Sequence, residues 1–439
     1  MTGKIREPAR EIDVYGEYDV VVVGGGPAGA CAGLSAARSG LKTLLIEQFN
    51  CLGGMATVGL HSHMGVFFGE GGVREIAGGL AREIARRAID EGEGDSSWPS
   101  VVDVDVENFK VQLDDMAAEA GLAVLYYSLV SGAIVKKGRV TGVILNNKSG
   151  RFAVLAKRTI DCTGDADVAF RAGCPVMLGR PEDGRMQPVT LMYRIAGIDW
   201  KKIREYRKND DLLEKFCRAA AEKGLMRPWQ TKLMGFWWNP HRPDMLNINF
   251  THMHFDGSSA FDMTRASVEG RKQVGEAVRA MRELIPGFEN GTLVDTAVSV
   301  GVRETRRIQG VYVMTVDDIK AQRIFDDSIG LGSAFVDIHN VTGPGMDRKS
   351  GFHLPKGRYY SIPYRTLVPE KMDDLLVAGR CHSATHEAAG STRWMTQCMI
   401  MGQAAGVAAS LSIEQNVAPR NVDVKTLQKR LLKDGAILR

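Results

Sequence analysis

Residues 18–48 read YDVVVVGGGPAGACAGLSAARSGLKTLLIEQ. Asp19 to Val23 is a short valine-rich run, suited to a strand covered on both faces in a parallel sheet. Gly24, Gly26 and Gly29 follow at G-x-G-x-x-G spacing, and an alanine-rich helix is expected from about Pro27 to Ser39, stopped by Gly40. Lys42 to Glu47 reads as a second strand. Gly24 serves the tight turn, Gly26 the close approach of backbone to a pyrophosphate, and Gly29 the packing of helix on strand. The helix start, with Pro27 and Ala28, presents free N–H groups and a positive dipole end to phosphates. Glu47, with Gln48 after it, ends the second strand where a carboxylate accepts ribose hydroxyls. The acid argues against a 2′-phosphate and so against NADP; FAD and NAD both remain open from this stretch.

The chain has 439 residues, 44% hydrophobic and 25% charged, enough for two or three domains of an ordinary globular protein. A net charge of +4 and a pI near 8.6 are too diffuse to indicate nucleic acid. No apolar run is long enough to span a bilayer, and the charged N-terminus lacks an apolar signal core, so a cytoplasmic protein is expected. Seven scattered cysteines, without C-x-x-C, do not suggest a disulfide framework, an iron–sulfur site or a zinc ribbon. Cys51 stands alone after the first nucleotide-binding unit, against a redox cysteine pair.

Farther along, the glycine-rich FNCLGGMATVGLHSHMGVFFGEGG is expected to be loop. Helices are expected at Val73–Glu91 and Asp105–Ala120, a break at DSSWPS, a strand at Leu122–Tyr127, and antiparallel strands turning at Lys137-Gly138 and Ser149-Gly150. Beyond residue 176 the texture changes. Strand-like LNINFTHMHF mixes with charged helices at about Trp200–Lys223 and Thr264–Leu284. Residues 371–415 return to nucleotide-binding texture. The expected architecture is α/β: a discontinuous Rossmann-like FAD/NAD(P)-binding domain with a parallel sheet (18–176 and 371–415) and an α+β substrate domain (177–370), between an N-terminal extension (1–17) and a C-terminal tail (416–439).

Six separated motifs, in order, carry a resemblance: VVVGGGPAG with Glu47, CLGGMAT, TIDCTGDADVAFRAG, GVRETRRIQG, VDIHN, and LLVAGRCHSATHE with TQCMIMGQAAGVAA. Together they resemble the FAD-dependent oxidoreductases of the two-dinucleotide-binding-domain superfamily, distantly related to the fumarate reductase flavoproteins. The resemblance implies FAD. It places Thr163, Gly164 and Asp165 beside the pyrophosphate or ribitol, and the main chain of Val130 at the adenine. Gly53, Gly54 and Met55 are implied near the isoalloxazine ring. Gly379 and Arg380 stand where Gly-Asp is commoner, so the arginine can pair with the pyrophosphate. The helix from about Thr396 is implied to aim its N-terminus at the flavin pyrimidine edge, with Arg393 and Gln397 beside it.

Hydride chemistry on a flavin needs a proton-handling group and groups that orient substrate. His61 and His63 follow the GGMAT loop and are read as flavin-proximal, structural, or points of covalent attachment. His382 and His386 share a helical face, but H-S-A-T-H-E is not H-E-x-x-H and no third ligand is evident, so no metal is assigned; His386 is read as flavin- or substrate-facing. Arg303, Arg306 and Arg307 suit either an anionic substrate or internal pairing. His339 has Asp337 two residues away, as a base and its orienting acid would. Asn247, Asn249 and Thr251 form a polar face expected in solvent; if it lines a cavity instead, Trp237 and Trp238 can stack on a ring. The expected function is oxidation or reduction of a small organic substrate through flavin N5, with the electron acceptor open and a homo-oligomer possible. The alternatives are a tRNA-modifying flavoprotein, a non-catalytic FAD-binding subunit, and a thiazole-forming protein with a sacrificial cysteine.

Overall fold

The computed structural model describes residues 3, 5–9, 11–92, 94–95, 101–347 and 349–439. The expected break at DSSWPS lies, from residue 96, outside them. The opening stretch folds as strand β1 (Val14–Val23), helix α1 (Pro27–Arg38) and strand β2 (Thr43–Ile46). β1 starts at Val14 rather than Asp19, because its largely exposed first residues pair with a distant strand, Val14 against Ala153 and Glu17 against Leu155. No apolar pattern marks that ribbon.

Helix α2 (Gly79–Asp90) keeps the expected apolar face of Leu80, Ile84 and Ala88. It starts later than Val73, because Gly79 sits at φ +59° after an extended Gly78. Helix α3 (Val106–Glu119) is capped by the Asp105 side chain, which accepts from Glu107 N and Asn108 N. Strands β3 (Ala123–Leu125), β4 (Leu129–Lys136), β5 (Arg139–Asn147) and β6 (Gly150–Asp161) follow. β6 is the hinge of the sheet. Its first half pairs antiparallel with β5, and from Ala153 to Asp161 it runs parallel to β1. Its last residues, Thr159 to Asp161, also pair parallel with a strand from far down the chain, Leu375–Val377. The parallel sheet is therefore assembled from both ends of the sequence.

A second, antiparallel sheet contains strands β7 (Tyr193–Ala196), β8 (Gly235–Asn239), β9 (Arg242–Asn249) and β10 (Thr292–Thr296), in the order β8-β9-β7-β10. The single helix expected at Trp200–Lys223 is two, α4 (Trp200–Arg207) and α5 (Glu214–Glu222). Between them Leu213 is left-handed at φ 54°, and the Asp210 carboxylate accepts from the Lys215 and Phe216 amides. The Asn209-Asp210-Asp211 run was a turn signal inside an otherwise helical pattern. Helix α6 (Ala260–Leu284) begins four residues before Thr264, where the Ser259 hydroxyl accepts from Asp262 N.

Helix α7 (Met395–Glu414) lies directly on α1. A Cβ on Gly402 would stand 2.0 Å from the Ala28 carbonyl oxygen, and one on Gly406 2.6 Å from that of Ala32. Backbone meets backbone there, which explains why α7 is built of Ala, Gly and Ser. The core around α1 and α7 also takes in Ile329, Ile338, Tyr360 and Leu367, and Leu427 and Leu431 of helix α8 (Val424–Lys433). It is thus continuous across the boundaries expected at residues 370 and 415. A separate core forms where Ile195, Leu246, Ile248 and Phe250 meet Val274, Ala277 and Met281 of α6. Among the described residues, no helix is long and apolar enough to cross a membrane.

Candidate active site

The turn after β1 is made as its glycines require. Gly24 has φ +93°, and a Cβ on Gly29 would stand 1.7 Å from the Gly24 carbonyl oxygen. A Cβ on Gly26, in contrast, would meet nothing within 4 Å. Backbone is bare to open space there, at the start of a helix that no side chain caps. The Glu47 carboxylate, 6% exposed, accepts from Gly25 N at 2.6 Å and Phe49 N at 2.8 Å. Burial raises its pKa, and these amide bonds oppose the rise. Each oxygen retains lone-pair capacity for a ribose hydroxyl. The GGMAT loop closes onto this cradle: Gly53 N donates to Gly25 O, and a Cβ on Gly54 would come within 2.8 Å of Gly26 Cα.

The cradle opens into a cavity of about 840 Å³ that continues to the second sheet. Its wall includes Gly24, Gly26, Pro27 and Ala28, then Glu47 and Gln48, Gly54 and Met55, Val130, Thr163 to Asp165, Gly379, Arg380 and Arg393. Gly29, Gly53 and Gln397 lie behind it. Gln397 is fully buried with both amide atoms unpartnered, in the first turn of α7 between Met395 and Cys398, which do face the cavity. Arg380 lies 2.9 Å from Asp165 and reaches Thr305 Oγ1 at 3.3 Å, so in this structure its charge meets a carboxylate. A bare cradle, an uncapped helix start, a buried acid and a long cavity fit an adenine dinucleotide.

At the far end the cavity changes character. Arg303, 7% exposed, donates through Nη1 to the Pro188 carbonyl at 2.7 Å and, among the described residues, meets no carboxylate at ion-pair distance. Burial lowers its pKa to about 10, which leaves it charged at neutral pH. Arg306 and Arg307 are taken elsewhere: Arg306 pairs with Asp167 at 2.7 Å, and Arg307 pairs with Glu304. Glu304 also accepts from His386 Nδ1 at 2.8 Å. Burial alone would raise the Glu304 carboxyl, but His386 and Arg307 hold it below the usual range. His386 is thereby part of a buried network that does not line the cavity. His382, four residues earlier, bonds Thr392 Oγ1 at 2.7 Å, so the two histidines serve separate partners.

His339 does line the cavity. Its Nε2 is 3.5 Å from Asp337 Oδ1, and its Nδ1 has no partner. Burial, then Arg303, push its pKa well below the ordinary value, so the ring is neutral. Asp337 Oδ2 accepts from Arg393 Nη2 at 2.7 Å.

On the opposite wall, the rings of His61 and His63 lie 4.4 and 5.3 Å from that of Trp237. His63 Nδ1 is 2.6 Å from Asp103 Oδ1, because antiparallel pairing sets the two residues opposite each other. Burial, then His63, push His61 down to about 3. The polar face of Asn247, Asn249 and Thr251 is buried, contrary to the solvated reading. Asn247 Nδ2 donates to Ser62 Oγ, Thr251 bonds the Leu191 main chain, and Asn249, which accepts from Thr190, lines the cavity. Asp103 and Lys232, also at this end, carried no sequence signal; one depends on strand register and the other on a loop.

Residues 19–431 match the family described as FAD dependent oxidoreductase. The chain is 35% identical over 162 residues to the thiamine thiazole synthase of Methanococcus aeolicus, a match covering 35% of this chain and 57% of that protein. It is 31% identical over 194 residues to the digeranylgeranylglycerophospholipid reductase of Thermoplasma acidophilum, covering 42% of this chain and 48% of the relative. The matches thus span about half the length of these curated relatives. A geranylgeranyl bacteriochlorophyll reductase-like protein from Thermoplasma acidophilum is a structural neighbour at TM-score 0.47 and 17% identity, over 95% of this chain and 83% of that one. Given the family match along nearly the whole sequence and a cradle made for a dinucleotide, the chain belongs to the FAD dependent oxidoreductase family and is an enzyme with FAD as its cofactor.

Proposed function

We propose that this enzyme moves a hydride between flavin N5 and a small organic substrate at the far end of the cavity. The cofactor, when bound, supplies the two-electron chemistry. The cradle of Gly24, Gly26 and the α1 N-terminus would hold its pyrophosphate, Glu47 a ribose, and Gly54 and Met55 would border the ring. The chain's own task is then positioning and proton handling. Arg303 orients substrate through its free donors. His339, neutral and with a bare Nδ1, accepts or returns the second proton, and the Asp337 carboxylate by Nε2 stabilises the ring once charged. His63, held by Asp103, is the second candidate for proton transfer.

The observation that carries this reading is the buried His339, its Nδ1 without a partner, on the same cavity wall as the Arg303 guanidinium, Gly26 and Gly54. An anaerobic donor screen tests it. Some small donor should bleach the bound FAD, and His339→Gln should slow that bleaching without loss of FAD. Bleaching at the wild-type rate in the variant would dismiss His339. The thiazole-forming reading draws on the Methanococcus relative, but Cys162 and Cys398, the two cysteines at the cavity, are buried with pKa values raised by desolvation. Neither thiol is activated for sulfur donation.

A further inference from the structure

We infer that the substrate is an organic carboxylate, its carboxylate group held on the Arg303 guanidinium inside the cavity. The inference rests on the reading that this end of the cavity takes the substrate.

Three arginines are buried among the described residues: Arg158, Arg303 and Arg307. Arg158 has Asp374 at 3.3 Å, and Arg307 has Glu304. Arg303 has one main-chain carbonyl and no acid. An unpaired buried charge is costly to keep out of water, so a fold retains one where something outside the fold completes it. The neighbours do not complete Arg303. His61, His252 and His339 surround it as neutral rings, each with an unpartnered Nδ1. Asp337 is the nearest acid, and its carboxylate is already bonded to Arg393. Lys232, half-buried on the same wall, has no ion-pair partner among the described residues either. Three cations (Arg303, Arg393 and Lys232) thus line this end against one lining carboxylate, Asp337, while Asp103 stands behind the wall, bonded to His63.

The ligand that corrects this imbalance is an anion, and the geometry selects its kind. A guanidinium is a planar fork that matches a carboxylate with two parallel bonds. The buried guanidinium calls for one carboxylate group, and the half-buried Lys232 leaves room for a second charge on the same ligand. The doubly charged pyrophosphate of the cofactor has its own site at Gly26, where backbone amides are bare.

The test uses FAD-loaded enzyme with butanoate and succinate, each against its amide, by calorimetry and thermal shift. Each carboxylate should bind at least about tenfold tighter than its amide and raise Tm, while the amides do not. Arg303→Met should abolish that preference, keep its FAD, and melt higher than wild type without ligand, since a buried unpaired charge is gone. A structural arginine would instead lower Tm when removed. If the methionine variant does not fold, Arg303→Lys keeps the charge but not the fork and should reduce the preference about tenfold. Equal binding of carboxylates and amides, tighter binding of inorganic phosphate than of either carboxylate, or an Arg303 variant that sheds FAD yet keeps the carboxylate preference would each overturn the inference. Carboxylates that bind at Arg303 but never reduce the flavin leave this inference standing and remove the hydride reading. Flavin bleached by a neutral alcohol, with no carboxylate bound, does the reverse.

Discussion

The two ends of the cavity recognise their ligands in opposite ways. The cradle end is built from main chain: bare amides, glycines without Cβ, and one acid, nearly all within residues 24–54. The far end is built from side chains with charge, and they come from scattered places: His61 and His63 from a loop and short strand, Trp237 from β8, Arg303 from a loop, Asp337 and His339 from another, Arg393 from before α7. A pyrophosphate needs only a backbone of the right shape, so one short sequence specifies its site. A substrate needs particular atoms at particular points, and those are brought together from separate loops and strands, as His63 is set against Asp103 and Trp237 against Asn247.

The comparison can be broken first at the cradle. Gly29→Ala forces a methyl group into the Gly24 carbonyl at 1.7 Å; we expect loss of several kcal/mol of stability and no FAD retained, measured by released flavin per chain and circular dichroism. A folded, fully loaded variant would mean that the cradle tolerates a Cβ and is not set by backbone approach. At the far end, His339→Gln should leave FAD content unchanged and slow flavin reduction by about 10²–10⁴-fold in stopped flow. If FAD is lost instead, the two ends are not separable. Glu47→Ala should weaken FAD about 10- to 100-fold by equilibrium titration, as a charged acceptor is lost and the Gly25 and Phe49 amides are orphaned; an unchanged Kd would remove Glu47 from the ribose.

The last effect is on pH. Burial lowers the pKa of His61, His252 and His382 to about 3 in the folded chain. Unfolded, each protonates near its ordinary value, so their contribution is complete above about pH 6.5 and is lost as pH falls toward 3, by about 1.4 kcal/mol per pH unit for each ring. His382→Gln, which keeps a partner for Thr392, should make the decline of stability between pH 6 and 4 shallower by about one such increment. Identical slopes in denaturant titrations would show that His382 titrates normally.

Much of this was legible beforehand where chemistry is local. The G-x-G-x-x-G turn and the apolar face of α2 follow from residues adjacent in the chain. Helix ends were less legible, because caps compete with pattern: Asp210 and Leu213 split a charged helix in two, and Gly79 delays another. Among the histidines, Asp103 opposite His63 and Glu304 against His386 decide which ring faces the cavity, and neither partner stands near its histidine in the chain.

The sequence by itself determined the dinucleotide cradle, the parallel strand that feeds it and the acid that closes it, because each depends on backbone conformation set by neighbouring residues. Only the tertiary structure decided that Arg303 stands unpaired while Arg306 and Arg307 do not, and that His339 lines the cavity while His386 does not. These residues share composition and neighbourhood in the chain. What separates them is which carboxylate the fold carries to each, and charge pairing in a low-dielectric interior acts through distance in space.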